Sequence, residues 1–566
     1  MFTSWLTLIL SILFLVQMPL GYESMENIAG DLNGDAELSP RDDEQINQFD
    51  AMFKMAGGGN PDRTPDGDLI IDGDIVVGQS DEDNQLTGRK AIPDTSLYWP
   101  NGTIPYLFHK SVSDGDKKII MHGIQHWQNE TCIKFIPATS KDHFKIRFRS
   151  DQEGCWSLVG RHLHYYGRTQ DVSIGNGCVQ WTTVAHEIGH VIGFYHEQSR
   201  SDRDKAIHIN WENVLRGFDI QFRKESDQNF GVPYDYTSVM QYPGWAFSKE
   251  ILVKNTIVTN DPKYQRLLGV NKGLTFRDKK IVSNLYGCNR DCPNLMDTKC
   301  LNGGFLKAYR GDNQNCECEC PPNTDGKFCQ TIRMDDYYDA IDPLICGGNI
   351  SQATQIFTPN YGQKNVPKQS CVWNVKAPDG QFVQMEFIDF DFTPRFETSN
   401  RRLYHKCLNE SVEIRDEDLY HGSFYCGHDF KEGDKIVSKT SRLLILVYAD
   451  RPSYGRGLKA NISFVQESGD NMGDEIVSPD PWKRKIGGKK HKKTKTKTKK
   501  TTSTTPSWMR STYIPVTNVT LVPPQVRPTT EKPKFKIVDV KNILDKMNKI
   551  QQGRVVKKIP PTKIDN

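Results

Sequence analysis

Three histidines fall within eleven positions of the stretch TTVAHEIGHVIGFYHEQSRSDRD, residues 182–204. His186 and His190 are four apart, so on a helix their rings leave one face about one turn from each other. Gly193 can adopt a left-handed conformation that ends the helix and turns the chain back, which makes His196 a third ligand. Three neutral imidazoles around Zn²⁺ leave a position for water, whose pKa the ion lowers to about 7. Glu187 stands beside the first ligand, placed to take that water's proton. A core helix with hydrogen-bonded histidines would explain any one ring. Specified residue types at this many fixed offsets favour zinc.

The elements around this cluster belong to a modular chain, because 566 residues exceed one ordinary domain. An apolar run from Trp5 to Val16 followed by helix breakers reads as a secretory signal, residues 1–21. It is short of the about 20 apolar residues of a membrane span, and no later stretch could form one. The 14 cysteines begin at Cys132 and fall into separated groups, as disulfide frameworks of exported proteins do. Sequons at Asn101, Asn129, Asn349, Asn409, Asn461 and Asn518 are then glycosylation candidates. The net charge of +3 hides local runs, acidic after the signal and basic near residue 490.

Residues 22–90 are rich in Asp, Gly and Asn and read as a removable propeptide. They end at the basic pair Arg89 and Lys90 before Ala91, a cleavage point for a trypsin-like or dibasic protease. Residues 91–289 read as folded α+β: DGDKKIIMHGIQHWQNET has helical spacing and HFKIRFRS alternates as a strand. Cys132, Cys155, Cys178 and Cys288 lie here. Cys292, Cys300, Cys316, Cys318, Cys320 and Cys329 crowd residues 290–330, too few to bury a core unaided, so disulfides must hold that piece. Spacing alone leaves their pairing open. Residues 346–465, with Cys346, Cys371, Cys407, Cys426 and alternating runs such as QFVQMEFIDFDF, predict a β-sandwich. Residues 466–566 form a basic, Thr/Pro-rich tail without the apolar content to fold alone.

The histidine pattern, H-E-x-x-H-x-x-G-x-x-H, is that of the metzincin proteases. With Glu197 and QSRSDRD after it, LYWPNGTIPY, GCWSLVG and YDYTSVMQY, the catalytic region resembles the astacin family of zinc endopeptidases. The resemblance implies a two-lobed fold around a cleft and disulfides Cys132–Cys288 and Cys155–Cys178. It makes Met240 the Met-turn residue, an apolar floor under the metal. It makes Tyr242 the phenol that ligates zinc at rest and stabilises the oxyanion, and it pairs Glu197 with the α-amino group of Ala91 after activation. Asp74 in DGDI resembles the aspartate with which such zymogens occupy the metal, although Ile71 stands where the family has an aromatic. A cysteine switch is impossible, since no cysteine precedes Cys132.

The six-cysteine piece resembles an EGF-like module, implying Cys292–Cys316, Cys300–Cys318 and Cys320–Cys329. The next resembles a CUB domain, implying Cys346–Cys371 and Cys407–Cys426. Only Asp450 matches the calcium ligands of such domains; Glu410 and Thr393 replace Asp and Glu, so calcium is not expected. The order astacin, EGF-like, CUB is a secreted architecture frequent in nematodes.

The expectation is a secreted zinc metalloendopeptidase, made as a zymogen for an activating protease, that cleaves extracellular proteins, those of the matrix first, with Glu187 as general base. The rival is an inert matrix adhesion or scaffold protein that binds through its EGF-like and CUB modules. The intact Glu187 and histidine trio, which an inert domain need not keep, favour the enzyme. Sulfated glycans could bind the basic tail electrostatically, or the tail could be a solvated linker. Nucleic acid is not an expected partner.

Overall fold

The computed structural model describes Phe53, residues 63–77 except 66, 95–290 except 226–227, 292, 299–309, 312–363, 369–397, 403–408, 410–449 and 455–466. The signal, Ala91, Asn409, Asp450, Asn518 and all of the tail but its first residue lie outside the described residues. No helix among the described residues is long and apolar enough to cross a membrane.

The upper lobe is a mixed sheet of β3 (Thr103–Phe108), β4 (Lys134–Pro137), β5 (Ile146–Arg149), β6 (Cys155–Leu158) and β7 (Gln170–Ile174). The segment before residue 91 adds β1 (Leu69–Ile71) and β2 (Ile75–Val77), giving the order β1-β2-β6-β7-β5-β3-β4. Strand β5 alternates as its sequence implies: Ile146 and Phe148 are buried, and the arginines between and after them are half-buried. Strand β6 runs antiparallel to β7, and β2 pairs parallel with the other edge of β6.

Two helices pack under this sheet. Helix α1 (Asp114–Glu130) starts at Ser113, whose side chain accepts from the Asp116 amide. Helix α2 (Trp181–Ile192) carries HEIGH and is buried from Thr183 to Ile192, so almost every face meets protein. The last carbonyls of a helix lack intrahelical partners, and in a buried helix water cannot supply them. Here the Gly160 amide reaches His190 O, the Trp99 indole reaches Val191 O, and the Tyr286 hydroxyl reaches Ile192 O. Trp99 comes from the LYWPNG stretch, so the domain's first residues fix the end of the helix that bears the histidines.

Gly193 ends α2 at φ 121° and the chain enters the lower lobe. That lobe is mostly turns, with the short pair β8 (Ile207–Ile209) and β9 (Ile257–Thr259). Helix α3 (Phe276–Tyr286) opens on a Thr275/Asp278 capping box.

The six-cysteine piece holds two small hairpins, β10 (Phe305–Tyr309) with β11 (Asp312–Glu319) and β12 (Thr324–Asp325) with β13 (Thr331–Ile332). Beyond it, two sheets face each other around one core that includes Val383, Met385, Leu443 and Ile445. The five-stranded sheet takes β14 (Cys346–Ile350), β16 (Gln369–Lys376), β18 (Glu410–Arg415), β19 (Ser423–Tyr425) and β21 (Arg442–Ala449). The four-stranded sheet takes β15 (Thr354–Phe357), β17 (Gln381–Asp391), β20 (Lys435–Val437) and β22 (Gly457–Gln466). The cysteines join as 132–288, 155–178, 292–316, 300–318, 320–329, 346–371 and 407–426. The buried Glu410 carboxylate accepts from the Thr393 amide and hydroxyl, both at 2.7 Å, so the two residues at altered calcium positions bond each other. Asn101, Asn129, Asn349 and Asn461 are exposed.

This sandwich touches the lower lobe. The Asn210 amide donates to Tyr420 O at 3.0 Å, and His208 stacks on Tyr420 with centroids 4.2 Å apart. His421 lies between Asp418, at 2.7 Å, and Glu212 of the lower lobe. Partial burial pushes His421 down, but the two carboxylates outweigh it and raise its pKa. A raised histidine stabilises the folded contact below its unfolded value of about 6.5, and that contribution is lost as pH rises through the folded value. His421→Gln should therefore lower the thermal midpoint of the full chain near pH 6 and leave it unchanged in the alkaline range. The pair is exposed, so the effect stays below about 1 kcal/mol. A midpoint difference that grows with pH would contradict this contact.

Candidate metal centre and its strap

The turn between β1 and β2, Asp72-Gly73-Asp74, dips into the cleft between the lobes. Its Asp74 carboxylate is fully buried and meets all three rings. Its Oδ2 lies 3.2 Å from His186 Nε2, and its Oδ1 lies 3.3 Å from His190 Nε2 and 3.1 Å from His196 Nε2. The ligand atoms of Asp74 and the three histidines all lie within 4.8 Å of one another. Each ring's far nitrogen is also engaged: His186 Nδ1 with Val239 O at 2.7 Å, His190 Nδ1 with Phe194 O at 2.7 Å, and His196 Nδ1 with Asp72 Oδ2 at 2.9 Å. In a neutral ring, donating the Nδ1 proton leaves Nε2 as the lone-pair nitrogen, the state in which each histidine would ligate a cation.

The residues fit a divalent cation by an independent observation. Both carboxylate oxygens of Glu187 are buried and lack any hydrogen bond, while Asp74 Oδ1 faces His190 Nε2 at 3.3 Å and His196 Nε2 at 3.1 Å without hydrogen-bond geometry. Such groups are normally satisfied, and orphans clustered at one point mark a place for an ion or water. Burial pushes Asp74 up, but His196 and His190 outweigh it and hold the carboxyl well below its ordinary range. Burial pushes His196 down, but Asp74 and Asp72 hold it up to about 10. His190 is pushed down to about 4, chiefly by burial. Glu187 is raised by burial first and by the charge of Asp74 second.

Met240 packs against α2 at Gly189, one residue before His190. A Cβ on Gly189 would meet the Met240 sulfur at 2.5 Å, so the helix must be bare there. Tyr242 is fully buried, and its ring packs 4.2 Å from that of His196. Its hydroxyl donates to Asp72 O at 2.5 Å. Glu197 is buried; its Oε1 accepts from Arg200 at 3.1 Å and from the Asp235 amide at 2.7 Å.

Sequence reasoning singled out Asp74 and missed Asp72. The Asp72 side chain accepts from Ser199 Oγ at 2.8 Å as well as facing His196, and its backbone φ is +47°, a conformation that aspartate tolerates. The signal was present: DGD puts two carboxylates two residues apart across a glycine. The roles of Ser199 and of Val239 O leave no mark in the sequence, since both depend on the fold of the lower lobe.

The sequence profile of the astacin peptidase family matches residues 91–287, and that of the CUB domain matches residues 346–462. Zinc metalloproteinase nas-29 of Caenorhabditis elegans is 33% identical over 399 residues, which cover 68% of this chain and 69% of that protein. The chain belongs to the astacin family. Protein SpAN of Strongylocentrotus purpuratus is 32% identical over 68% of this chain, and the match spans only 60% of SpAN. High choriolytic enzyme 1, a hatching enzyme zinc-protease of Oryzias latipes, is 32% identical over 35% of this chain and 99% of its own, with a TM-score of 0.32. Astacin metalloproteases use zinc, the ion that three imidazoles suit.

The Gly189 contact makes a direct test. Gly189→Ala should cost about 1–3 kcal/mol by overpacking and weaken zinc retention as Met240 is displaced. Thermal unfolding with a chelator competition measures both, and a variant with unchanged midpoint and zinc affinity would show the close approach to be unimportant.

Proposed function

We propose that the chain is the zymogen of a zinc metalloendopeptidase that is exported and hydrolyses extracellular proteins, those of the matrix being the expected substrates. The observation that carries the reading is the convergence of three Nε2 atoms on one buried carboxylate, beside a glutamate whose carboxylate oxygens have no hydrogen bond. His186, His190 and His196 would hold the ion. When bound, zinc supplies Lewis acidity and a water of lowered pKa.

The remaining chemistry belongs to side chains. Glu187 takes a proton from the attacking water as its oxygen adds to the scissile carbonyl carbon, then returns that proton to the amide nitrogen as the C–N bond breaks. The Tyr242 hydroxyl donates to the developing oxyanion. In the zymogen that hydroxyl is held by Asp72 O, and β2 takes the edge of β6 that an extended peptide would otherwise pair with. Asp74 would take the ligand position that the attacking water needs. Cleavage after Lys90 frees Ala91 to pair with Glu197, and the propeptide leaves. Residues 290–330 act as an EGF-like module, a reading supported by their three disulfides and short hairpins. That module and the CUB domain present substrate, and the sequons carry glycans.

Processed protein should contain one zinc per chain and cleave casein; a chelator should remove both metal and activity. Glu187→Ala should lose cleavage by at least about 100-fold, the usual scale for a general base, while keeping zinc. Casein cleavage by that variant at the wild-type rate would refute the assignment. In the unprocessed protein, Asp74→Ala together with Asp72→Ala should raise cleavage above the zymogen background. Equal latency would place the block elsewhere.

A further inference from the structure

Between the last hairpin of the six-cysteine piece and the β-sandwich runs a connector, MDDYYDAID, residues 334–342. A connector between modules is ordinarily exposed. Tyr338 is instead 5% exposed, built into the hydrophobic core of the lower lobe with Tyr234, Tyr236 and Tyr242. Its ring packs 4.9 Å from Tyr264 and 5.2 Å from Tyr236.

The phenol occupies a backbone site. It donates to Tyr234 O at 3.0 Å and accepts from the Tyr236 amide at 3.1 Å and from Arg277 Nη1 at 2.6 Å. Arg277 lies on α3, its guanidinium 3.9 Å from the centre of the Tyr337 ring, and it also donates to Tyr234 O at 2.6 Å. Asp336, just before, receives Lys263 at 2.7 Å and the Tyr264 hydroxyl.

The segment so gripped leads to the metal centre. The Asp235 amide donates to Glu197, and the Asp235 carboxylate accepts from Thr237 and, at 2.7 Å, from Thr275, the cap of α3. Asp278, the partner in that capping box, accepts from Ser238 Oγ at 2.6 Å and from the Val239 amide at 3.0 Å. Val239 O accepts from His186. Met240 and Tyr242 follow in the same stretch.

We propose that Tyr338 is a positioning residue for the metal centre: through the 234–242 segment and α3 it fixes the carbonyl that orients His186, so the connector beyond the protease domain is a structural part of the catalytic unit. This rests on the zinc reading given above only for the identity of the ion. Groups that orient a metal-bound histidine through one hydrogen bond are worth about 10- to 100-fold in affinity or activity. Tyr338 acts at greater remove, so the lower end applies.

The test uses the full processed chain with Tyr338→Phe, which keeps the ring and removes the hydroxyl, and Tyr338→Ala. Val383→Ala, in the sandwich core, serves as a control for general destabilisation. Zinc release to a chromophoric chelator, amide exchange across residues 234–242, and kcat and KM on a peptide are measured. The expected result for Tyr338→Phe is zinc release several-fold faster, exchange raised within 234–242, and kcat lowered with KM little changed. Tyr338→Ala should do the same by about 10-fold, and Val383→Ala should do neither. Wild-type zinc release and wild-type exchange in Tyr338→Phe would overturn the proposal, whether or not Tyr338→Ala folds. If the wild-type chain cut no peptide, or held no zinc, the peptidase reading would fail while amide exchange still decided the clamp.

Discussion

A carboxylate with no access to water must be balanced at short range, because burying an isolated charge costs far more than a domain's net stability. Asp74 is such a group, and the arrangement around it follows from that constraint. Three ring nitrogens face it within 3.3 Å. The same geometry that makes this spot tolerable for a carboxylate makes it a cation site, since each nitrogen must turn a lone pair or a proton toward one point. Orientation is what the surrounding carbonyls supply. Val239 O, Phe194 O and the Asp72 carboxylate fix the far nitrogens and so leave each ring one face to offer.

Those three acceptors come from different places. Phe194 O belongs to the turn that Gly193 permits, Val239 O to the loop under α2, and Asp72 to the β1–β2 turn. Two acceptors therefore lie within the residues that the family profile covers, while the partner of His196 lies before them. The Tyr242 and Ser199 hydroxyls also take their partners from Asp72. Removal of the β1–β2 turn, as the proposed activation requires, would therefore strip hydrogen bonds from His196, Tyr242 and Ser199 as well as uncover the histidines.

The metal trio, Glu187, the strand and helix patterns and the β-sandwich could be read from residue types because each depends on a local rule. Imidazoles at i and i+4 share a helix face wherever the helix sits, and IRFR alternates whatever it packs against. Asp74 could be read only through family likeness; on its own terms a carboxylate beside Gly73 is an ordinary turn residue. The carbonyl acceptors were invisible because a backbone oxygen has no letter. Tyr338 was invisible for a related reason. In MDDYYDAID the local composition describes a polar connector, and nothing nearby in sequence announces that the partners of its hydroxyl lie about a hundred residues earlier.

That distance matters for how the domain should be bounded. The family profile closes at residue 287, and a boundary there follows the chemistry of the site residues. The physical unit extends further. Removing everything after residue 288, which keeps the Cys132–Cys288 disulfide, would expose Tyr234, Tyr236 and Tyr264 and leave Tyr234 O and the Tyr236 amide without their phenol. Stacked tyrosines exposed together form an apolar patch, and exposed backbone groups in a loop exchange with water; both favour opening of the segment that carries Val239, Met240 and Tyr242. The segment that carries Val239, Met240 and Tyr242 is held from outside the residues that the family profile covers. The connector is therefore constrained by the metal site even though it never approaches it.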